Sequence, residues 1–388
     1  MKELSVAAAL RRHGPEYLQS LPRTKANVPI RKAFSAIMRC RTGKLGGVMW
    51  QCGRCDHQHW VGRSCGNRHC PTCGSEKTAA WIEKLNRKLL PGVHHFMITF
   101  TVPKELRSVL RSDQRAGYEA LMNASAAAIE DVASATRALK GCQLGFFGCL
   151  HTWGRDPMVY HPHVHYLVPG GGVLRNAKGK ATAWKQTPTN FFVHHGTLIR
   201  VYKAKLADEL RARGLYDKVP ATAWHKKFVV DLVPVDNGHS VVKYLAPYVH
   251  RVAISDHRIK AIDDDGVTYQ YQPSKSKTIK TRRVTGQQFA AGFAQHILPT
   301  QFRKVRYHGW MNNNTRSGIE EIRMLVWFAL GWVYWLASGM ARREPQAKVP
   351  KLRCRRCGGS MQVAIVYNHE LPVPLLALNS GLVYFDSS

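Results

Sequence analysis

The stretch Tyr160-His161-Pro162-His163-Val164-His165-Tyr166 alternates imidazoles with other side chains. A strand's two-residue period turns all three histidines to one face. The flanks extend that reading. Residues 159–168 and 144–152 have strand composition, and Gly154-Arg155-Asp156-Pro157 between them is a turn, so the pair predicts a β-hairpin. Closed there, the hairpin brings His151 level with His163. His151, His163 and His165 then form a candidate metal site with open positions for phosphate oxygens and water, since neutral imidazole is the commonest ligand for such ions. Satisfied histidines on a solvated strand are the competing reading. His161, directly before Pro162, is the weaker ligand.

Outward from the hairpin, residues 95–102 read as a strand ended by Pro103, and residues 106–139 as helix. Downstream come a glycine run at 170–172, a polar excursion to about residue 190, a helix over 199–213 and a strand over 227–233. A further helix carries Tyr244 and Tyr248, and strand-like, basic turn segments fill 258–283. Together these predict an α+β plan built on an antiparallel sheet. In Tyr244-Leu245-Ala246-Pro247-Tyr248 the two phenols share a helix face, a spacing that ordinary core packing also produces. Pro247 removes a backbone donor between them and is expected to kink the helix.

Before the sheet, residues 1–40 read as helical, and residues 40–74 are dense in Cys, Gly, His and Arg. Cys52-Gly-Arg-Cys55 and Cys70-Pro-Thr-Cys73 are two CxxC knuckles separated by fourteen residues. That spacing suits one tetrahedral zinc ion held by Cys52, Cys55, Cys70 and Cys73, whose binding supplies folding energy that so small a module lacks. Cys65, His57, His59 and His69 leave a different foursome or a second ion open. Arg54, Arg63 and Arg68 project from the module as candidate phosphate contacts. Cys354 and Cys357 form a third, lone knuckle, with Cys40, His369 or nothing as partner. An amphipathic basic helix over 75–90 links this module to the sheet. The expected division is thus a helical and zinc-binding part over 1–90, a catalytic part over 91–320, and a C-terminal part over 321–388.

Lys and Arg outnumber Asp and Glu by 57 to 25, a formal net charge of +32, and the pI is near 10.1. That balance makes a polyanion, nucleic acid first, the expected partner, with binding that weakens steeply as salt rises. CxxC pairs in place of scattered cysteines point to metal in a reducing compartment. The start, Met1-Lys2-Glu3-Leu4, lacks the pattern of a signal peptide, so a cytoplasmic location is expected. The apolar stretch 324–340 is expected as a buried helix, with a membrane-associated helix as the alternative. No phosphate-binding GxxxxGK[ST] loop is present, so no nucleotide cofactor is expected.

Taken in order, these pieces resemble one family, the two-tyrosine rolling-circle transposases of the IS91 family of bacterial insertion sequences. They belong to the HUH endonucleases, named for a histidine–hydrophobic–histidine motif. The resemblance runs from about residue 23 to residue 309. It rests on Ser64-Cys-Gly-Asn-Arg-His-Cys-Pro-Thr-Cys73, Thr99-Phe-Thr-Val-Pro103, His151-Thr-Trp-Gly-Arg-Asp156, His161-Pro-His-Val-His165, and Tyr244-Leu-Ala-Pro-Tyr248 followed by Arg251 and Ile254-Ser255. It implies that His163 and His165 are the motif histidines and that Tyr244 and Tyr248 are the nucleophiles. It also implies an HUH endonuclease domain with a ferredoxin-like sheet, preceded by a small N-terminal zinc-binding domain. The implied activity is nicking and rejoining of single-stranded DNA at transposon ends through a 5′-phosphotyrosine bond. The implied ions are Mg²⁺ or Mn²⁺ at the catalytic centre and Zn²⁺ in the structural module, and Arg251 is a candidate DNA contact. Pro247 departs from the family pattern. Two other functions share much of this sequence logic: a plasmid or phage replication initiator, and a non-catalytic zinc-dependent DNA-binding repressor.

Overall fold

The computed structural model describes residues 4–250, 253–273, 276, 278–312, 314, 315, 318–340 and 352–368. Arg251 and His369 lie outside the described residues. Two helices come first, α1 (Val6–Ser20) and α2 (Val28–Arg39). Ser5 caps α1 by accepting from the Ala8 N–H at 3.0 Å, and Pro29 sits in the first turn of α2, where no backbone donor is missed. A hairpin of β1 (Gly47–Cys52) and β2 (Gln58–Gly62) follows, then α3 (Gly74–Asn86).

The central part begins with β3 (His95–Thr101), α4 (Lys104–Ser112) and α5 (Gln114–Ala135). The single helix expected over 106–139 divides at Asp113, whose carboxylate accepts from the Ala116 N–H at 3.0 Å and starts α5 afresh. Next come β4 (Cys142–Gln143), β5 (Gly145–Trp153), β6 (Tyr160–Pro169), β7 (Gly171–Arg175) and β8 (Ala181–Gln186). The expected polar excursion after the glycine run is in fact the β7–β8 hairpin, pinned by buried Val173 and Trp184. Then follow α6 (His195–Arg211), β9 (Val230–Val235), α7 (His239–His250), β10 (Ile259–Ile262), β11 (Gly266–Tyr271), β12 (Lys280–Thr285), α8 (Gly286–Ala294) and β13 (Val305–Gly309). The described chain closes with α9 (Ile319–Leu330), α10 (Trp332–Met340) and β14 (Met361–Tyr367).

The main sheet is antiparallel throughout, in the order β13-β5-β6-β3-β9. One face carries Phe96, Ile98, Phe100, Phe146, Leu150, Val164 and Tyr166 into the largest core, against α5 and α6. Tyr166 keeps its buried hydroxyl satisfied by donating to the Met122 carbonyl at 3.0 Å. On the other face Phe147 and Leu167 pack with Val241, Val242 and Leu245 of α7 and with Ile322 and Val326 of α9. A separate core joins α1 and α2 to α8 and β11, so residues 6–40 and 253–297 bury each other's apolar stripes.

Two irregularities matter. Strands β5 and β6 pair His151 with His163 but Trp153 with Tyr160, so β6 carries one extra residue there, a β-bulge at His161-Pro162. The apolar stretch expected as one buried helix is two helices, because Gly331 at φ 52° terminates α9. Of α9 only Ile322 and Val326 are buried, while Trp327, Phe328, Trp332 and Trp335 are exposed. Among the described residues no helix is long and apolar enough to cross a membrane.

Burial of His95 and His296 pulls each imidazole down to about 3. An unfolded histidine titrates near 6.5, so between those values the unfolded chain binds more protons. Stability is therefore expected to be lost as pH falls from about 6.5 toward about 3. Thermal unfolding followed across that window checks this, and a flat melting temperature contradicts it.

Candidate active site

The histidines sit at the middle of the main sheet. On β6, His163 and His165 face Thr101 and Thr99 of β3 on one side and His151 and Cys149 of β5 on the other. Strand alternation sends Val164 and Tyr166 into the core and the two histidines to the opposite face. The ring centroids of His151 lie 5.2 Å from His163 and 4.6 Å from His165, and the latter two are 4.8 Å apart. One ring nitrogen from each lies within 4.8 Å of the others. His161 is outside this cluster, on the bulge, although its ring stays 5.2 Å from that of His163.

Burial, reinforced by the neighbouring imidazoles, holds His151 and His163 well below the ordinary histidine range, and burial alone holds His165 down at about 4. All three are neutral near pH 7 and competent to donate a lone pair. Their orientation is set from behind. His163 Nδ1 meets the His161 carbonyl at 2.8 Å, and His165 Nδ1 meets Thr99 Oγ1 at 2.9 Å, so Nδ1 of each is engaged and Nε2 is the nitrogen that a metal ion would take. Trp153 stacks on His151 at 5.6 Å, and the Lys304 ammonium lies 4.7 Å over that indole. Burial pushes Lys304 down to about 8. Thr99 and Trp153 fall within motifs that carry the family resemblance, which gives them no part of their own, and nothing in the local sequence marks Lys304; all three acquire these parts only when the strands pair.

Helix α7 packs on the same sheet face as the histidines and carries Tyr244 and Tyr248 in its backbone. It continues as one element through Pro247, so the proline removes a donor without ending the helix. At its start, His239 Nδ1 meets Asn86 Oδ1 of α3 at 3.1 Å, and α3 runs alongside it.

The cysteines correct the expected zinc set. Cys52, Cys55, Cys70 and Cys73 do not converge; they divide between two clusters. The first joins Cys40, Cys65, Cys70 and Cys73, with Sγ–Sγ distances of 3.6 Å (Cys40–Cys73), 3.7 Å (Cys65–Cys73) and 3.8 Å (Cys40–Cys70). The second joins Cys52 and Cys55 to Cys354 and Cys357. The reason is the β1–β2 hairpin. Cys40 and Cys65 flank its open end, whereas Cys52 and Cys55 lie at its turn, about 17 Å further along at ~3.3 Å per residue. Cys40, left over by the sequence as a partner for the lone knuckle, closes the first cluster instead.

Of the arginines expected to contact phosphate, Arg54 and Arg63 are exposed, with Arg63 donating to Asn368 Oδ1 at 2.6 Å. Arg68 is committed elsewhere: its guanidinium donates to the carbonyls of Phe302 at 2.7 Å and Pro299 at 2.6 Å.

Residues 145–318, from β5 to the approach to α9, match a family model described as "Putative transposase", and residues 9–102 match one described as "Transposase zinc-binding domain". A protein of Sinorhizobium fredii named as a putative transposase is 31% identical over 332 residues, covering 80% of this chain and 81% of its own. The transposase for insertion sequence element IS801 of Pseudomonas savastanoi pv. phaseolicola is 27% identical over 304 residues, 73% of this chain and 70% of its own. No solved structure matches. The matches define a transposase, a protein that acts on DNA. More narrowly, the chain belongs to the IS91 family of insertion-sequence transposases and carries that family's zinc-binding domain.

Proposed function

We propose that this transposase nicks and rejoins single-stranded DNA at the ends of its insertion sequence by a rolling-circle route. Tyr244 and Tyr248 are the nucleophiles, and His151, His163 and His165 are the ligands of a catalytic divalent ion. The observation that carries this reading is the convergence of three buried, neutral imidazoles on the sheet face that α7 covers. Three nitrogen donors fit the borderline Mn²⁺ better than the hard, oxygen-seeking Mg²⁺. When bound, the ion would polarise the scissile phosphate and offset the charge that develops on it.

The chain's own residues do the rest. The phenol oxygen of one tyrosine bonds to phosphorus and gives up its proton to solvent, while the P–O3′ bond breaks and the departing oxygen is protonated. The products are a 5′-phosphotyrosine link and a free 3′-hydroxyl, with one phosphoester exchanged for another and no external energy needed. A tyrosine's pKa near 10 leaves its phenol mostly protonated at neutral pH, so attack depends on the site's electrostatics. Two tyrosines allow two such links to coexist during strand exchange.

Incubation with single-stranded oligonucleotides from the ends of the coding element and Mn²⁺ is expected to yield a denaturation-resistant protein–DNA adduct. Tyr244→Phe and Tyr248→Phe are each expected to reduce it, and the double variant to abolish it. Wild-type protein that forms no adduct with any single-stranded end defeats the reading, and cleavage confined to a replication origin replaces it with an initiator.

A further inference from the structure

We propose that Cys52, Cys55, Cys354 and Cys357 hold a second structural zinc ion, which fastens the C-terminal knuckle to the N-terminal hairpin across about three hundred residues of chain. The zinc-binding domain match ends at residue 102 and contains a complete set of four in Cys40, Cys65, Cys70 and Cys73. Cys52 and Cys55 are therefore left with a different task.

The two knuckles are built alike. The Cys52 N–H donates to the His57 carbonyl at 2.9 Å, and the Cys354 N–H donates to the equivalent Gly359 carbonyl at 2.8 Å. After the second cysteine of each comes a residue in the left-handed region, Asp56 at φ 51° and Gly358 at φ 70°. Such a turn places both thiolates of a CxxC pair on one side of a tight loop. The loops face each other: Cys52 Sγ lies 3.5 Å from Cys357 Sγ, and Cys55 Sγ lies 3.7 Å from Cys354 Sγ. Zinc–sulfur bonds of about 2.3 Å in a tetrahedron require sulfur–sulfur edges of about 3.8 Å, whereas a disulfide would need about 2.05 Å. Gly359 fits against the sulfurs, where a Cβ would come within 3.1 Å of Cys52 Sγ and 3.2 Å of Cys357 Sγ.

The surroundings are those of a metal-supported ribbon. Strand β14 pairs along β1 from Gly47↔Tyr367 to Cys52↔Met361, and the Gly53 N–H donates to the Ser360 carbonyl at 3.2 Å. Among the described residues the cluster around the thiolates is small: Cys52, Cys354 and Met361 are buried and Trp50 and Leu352 half-buried, while further along the strands Met49 and Trp60 are buried too, Trp60 with its ring 5.3 Å from that of Tyr367. So small a core gains from metal binding, which is itself folding free energy. Four thiolates and no open position specify a closed zinc site with no catalytic part.

The test uses the full chain purified in its zinc-loaded form. Zinc content by native mass spectrometry is expected to fall by one equivalent in the Cys354→Ser/Cys357→Ser double variant. In wild-type protein, alkylation mapped by peptide mass spectrometry is expected to find Cys52, Cys55, Cys354 and Cys357 protected together and exposed together as chelator removes zinc, in a step separate from that of Cys40, Cys65, Cys70 and Cys73. Unchanged zinc content in the double variant overturns the proposal. So does rapid labelling of Cys354 and Cys357 in zinc-loaded wild type while Cys52 and Cys55 stay protected. Neither readout involves DNA cleavage, so failure here is distinct from failure of the catalytic reading.

Discussion

Alanine at His163 is expected to slow strand cleavage by at least about a thousandfold, the scale of losing a group that stabilises charge in the transition state. Binding of the same oligonucleotide at the same salt concentration is expected to change by less than about twofold, because affinity comes from charge spread over the chain. His163 is the hinge of the cluster, paired across the strands with His151 and held through Nδ1 by the His161 carbonyl. Removing it leaves two imidazoles, too few to fix an ion against phosphate oxygens. Thr99→Val disturbs only the orientation of His165, so its cost is expected to be about ten- to a hundredfold. Gel-resolved cleavage and filter binding of one labelled oligonucleotide read both quantities. His163→Ala protein that cleaves within tenfold of wild type would remove the histidines from the chemistry.

Cys70→Ser is expected to be the most destabilising single change in the zinc-binding domain, costing about 5 kcal/mol or more, since structural zinc binding is itself folding free energy on the order of 10 kcal/mol. Cys70 is fully buried, within the core that joins α1 and α2 to α8. Its cluster mates include Cys40 at the end of α2 and Cys73 at the start of α3. The damage should travel, because α3 runs beside α7 and meets it at Asn86 and His239. Cleavage is therefore expected to fail although every histidine is intact. Serine at Cys142, a cysteine outside both clusters, serves as the control and should melt like wild type. A Cys70→Ser chain with unchanged zinc content and unchanged melting removes the metal from the first cluster.

The sheet was legible because its signals are local. Alternation in residues 160–166 and the turn at 154–157 marked the hairpin and its histidine-bearing face, and β-branched or aromatic runs marked β3 and β9, whereas the pairing of His151 with His163 itself depends on the bulge at His161-Pro162. The cysteine partners were not legible, because a CxxC pair shows that two thiolates share a turn and says nothing about which distant pair will face them. Cys354 and Cys357 lie about three hundred residues from Cys52 and Cys55, and only the pairing of β14 with β1 brings them together. The likeness of the two knuckles, down to a left-handed residue after each, is a backbone property that Asp56 conceals. Arg68 looked like a phosphate contact from composition, and its carbonyl partners at 299 and 302 belong to a segment that nothing local connects with it. The exposure of Trp332 and Trp335 was missed because hydropathy is blind to a break at one glycine.

The bulge at His161-Pro162 has a wider meaning for how this site tolerates change. Counted in strict register from Trp153↔Tyr160, His151 would stand opposite Pro162, and the histidines of the two strands would be out of phase. The extra residue acts as a phase shifter between the connecting loop and the histidine-bearing rows. Upstream of it the loop is pinned separately, by the Tyr269 hydroxyl donating to Asp156 Oδ1 at 3.2 Å, by the Arg282–Asp156 ion pair and by Gln295 donating to the Met158 carbonyl at 2.6 Å. Downstream, losing or gaining one residue would exchange the two faces of β6, sending the imidazoles into the aromatic core and Val164 and Tyr166 to the face that α7 covers. The strand thus behaves like a reading frame written in side chains, and the bulge is where that frame is set.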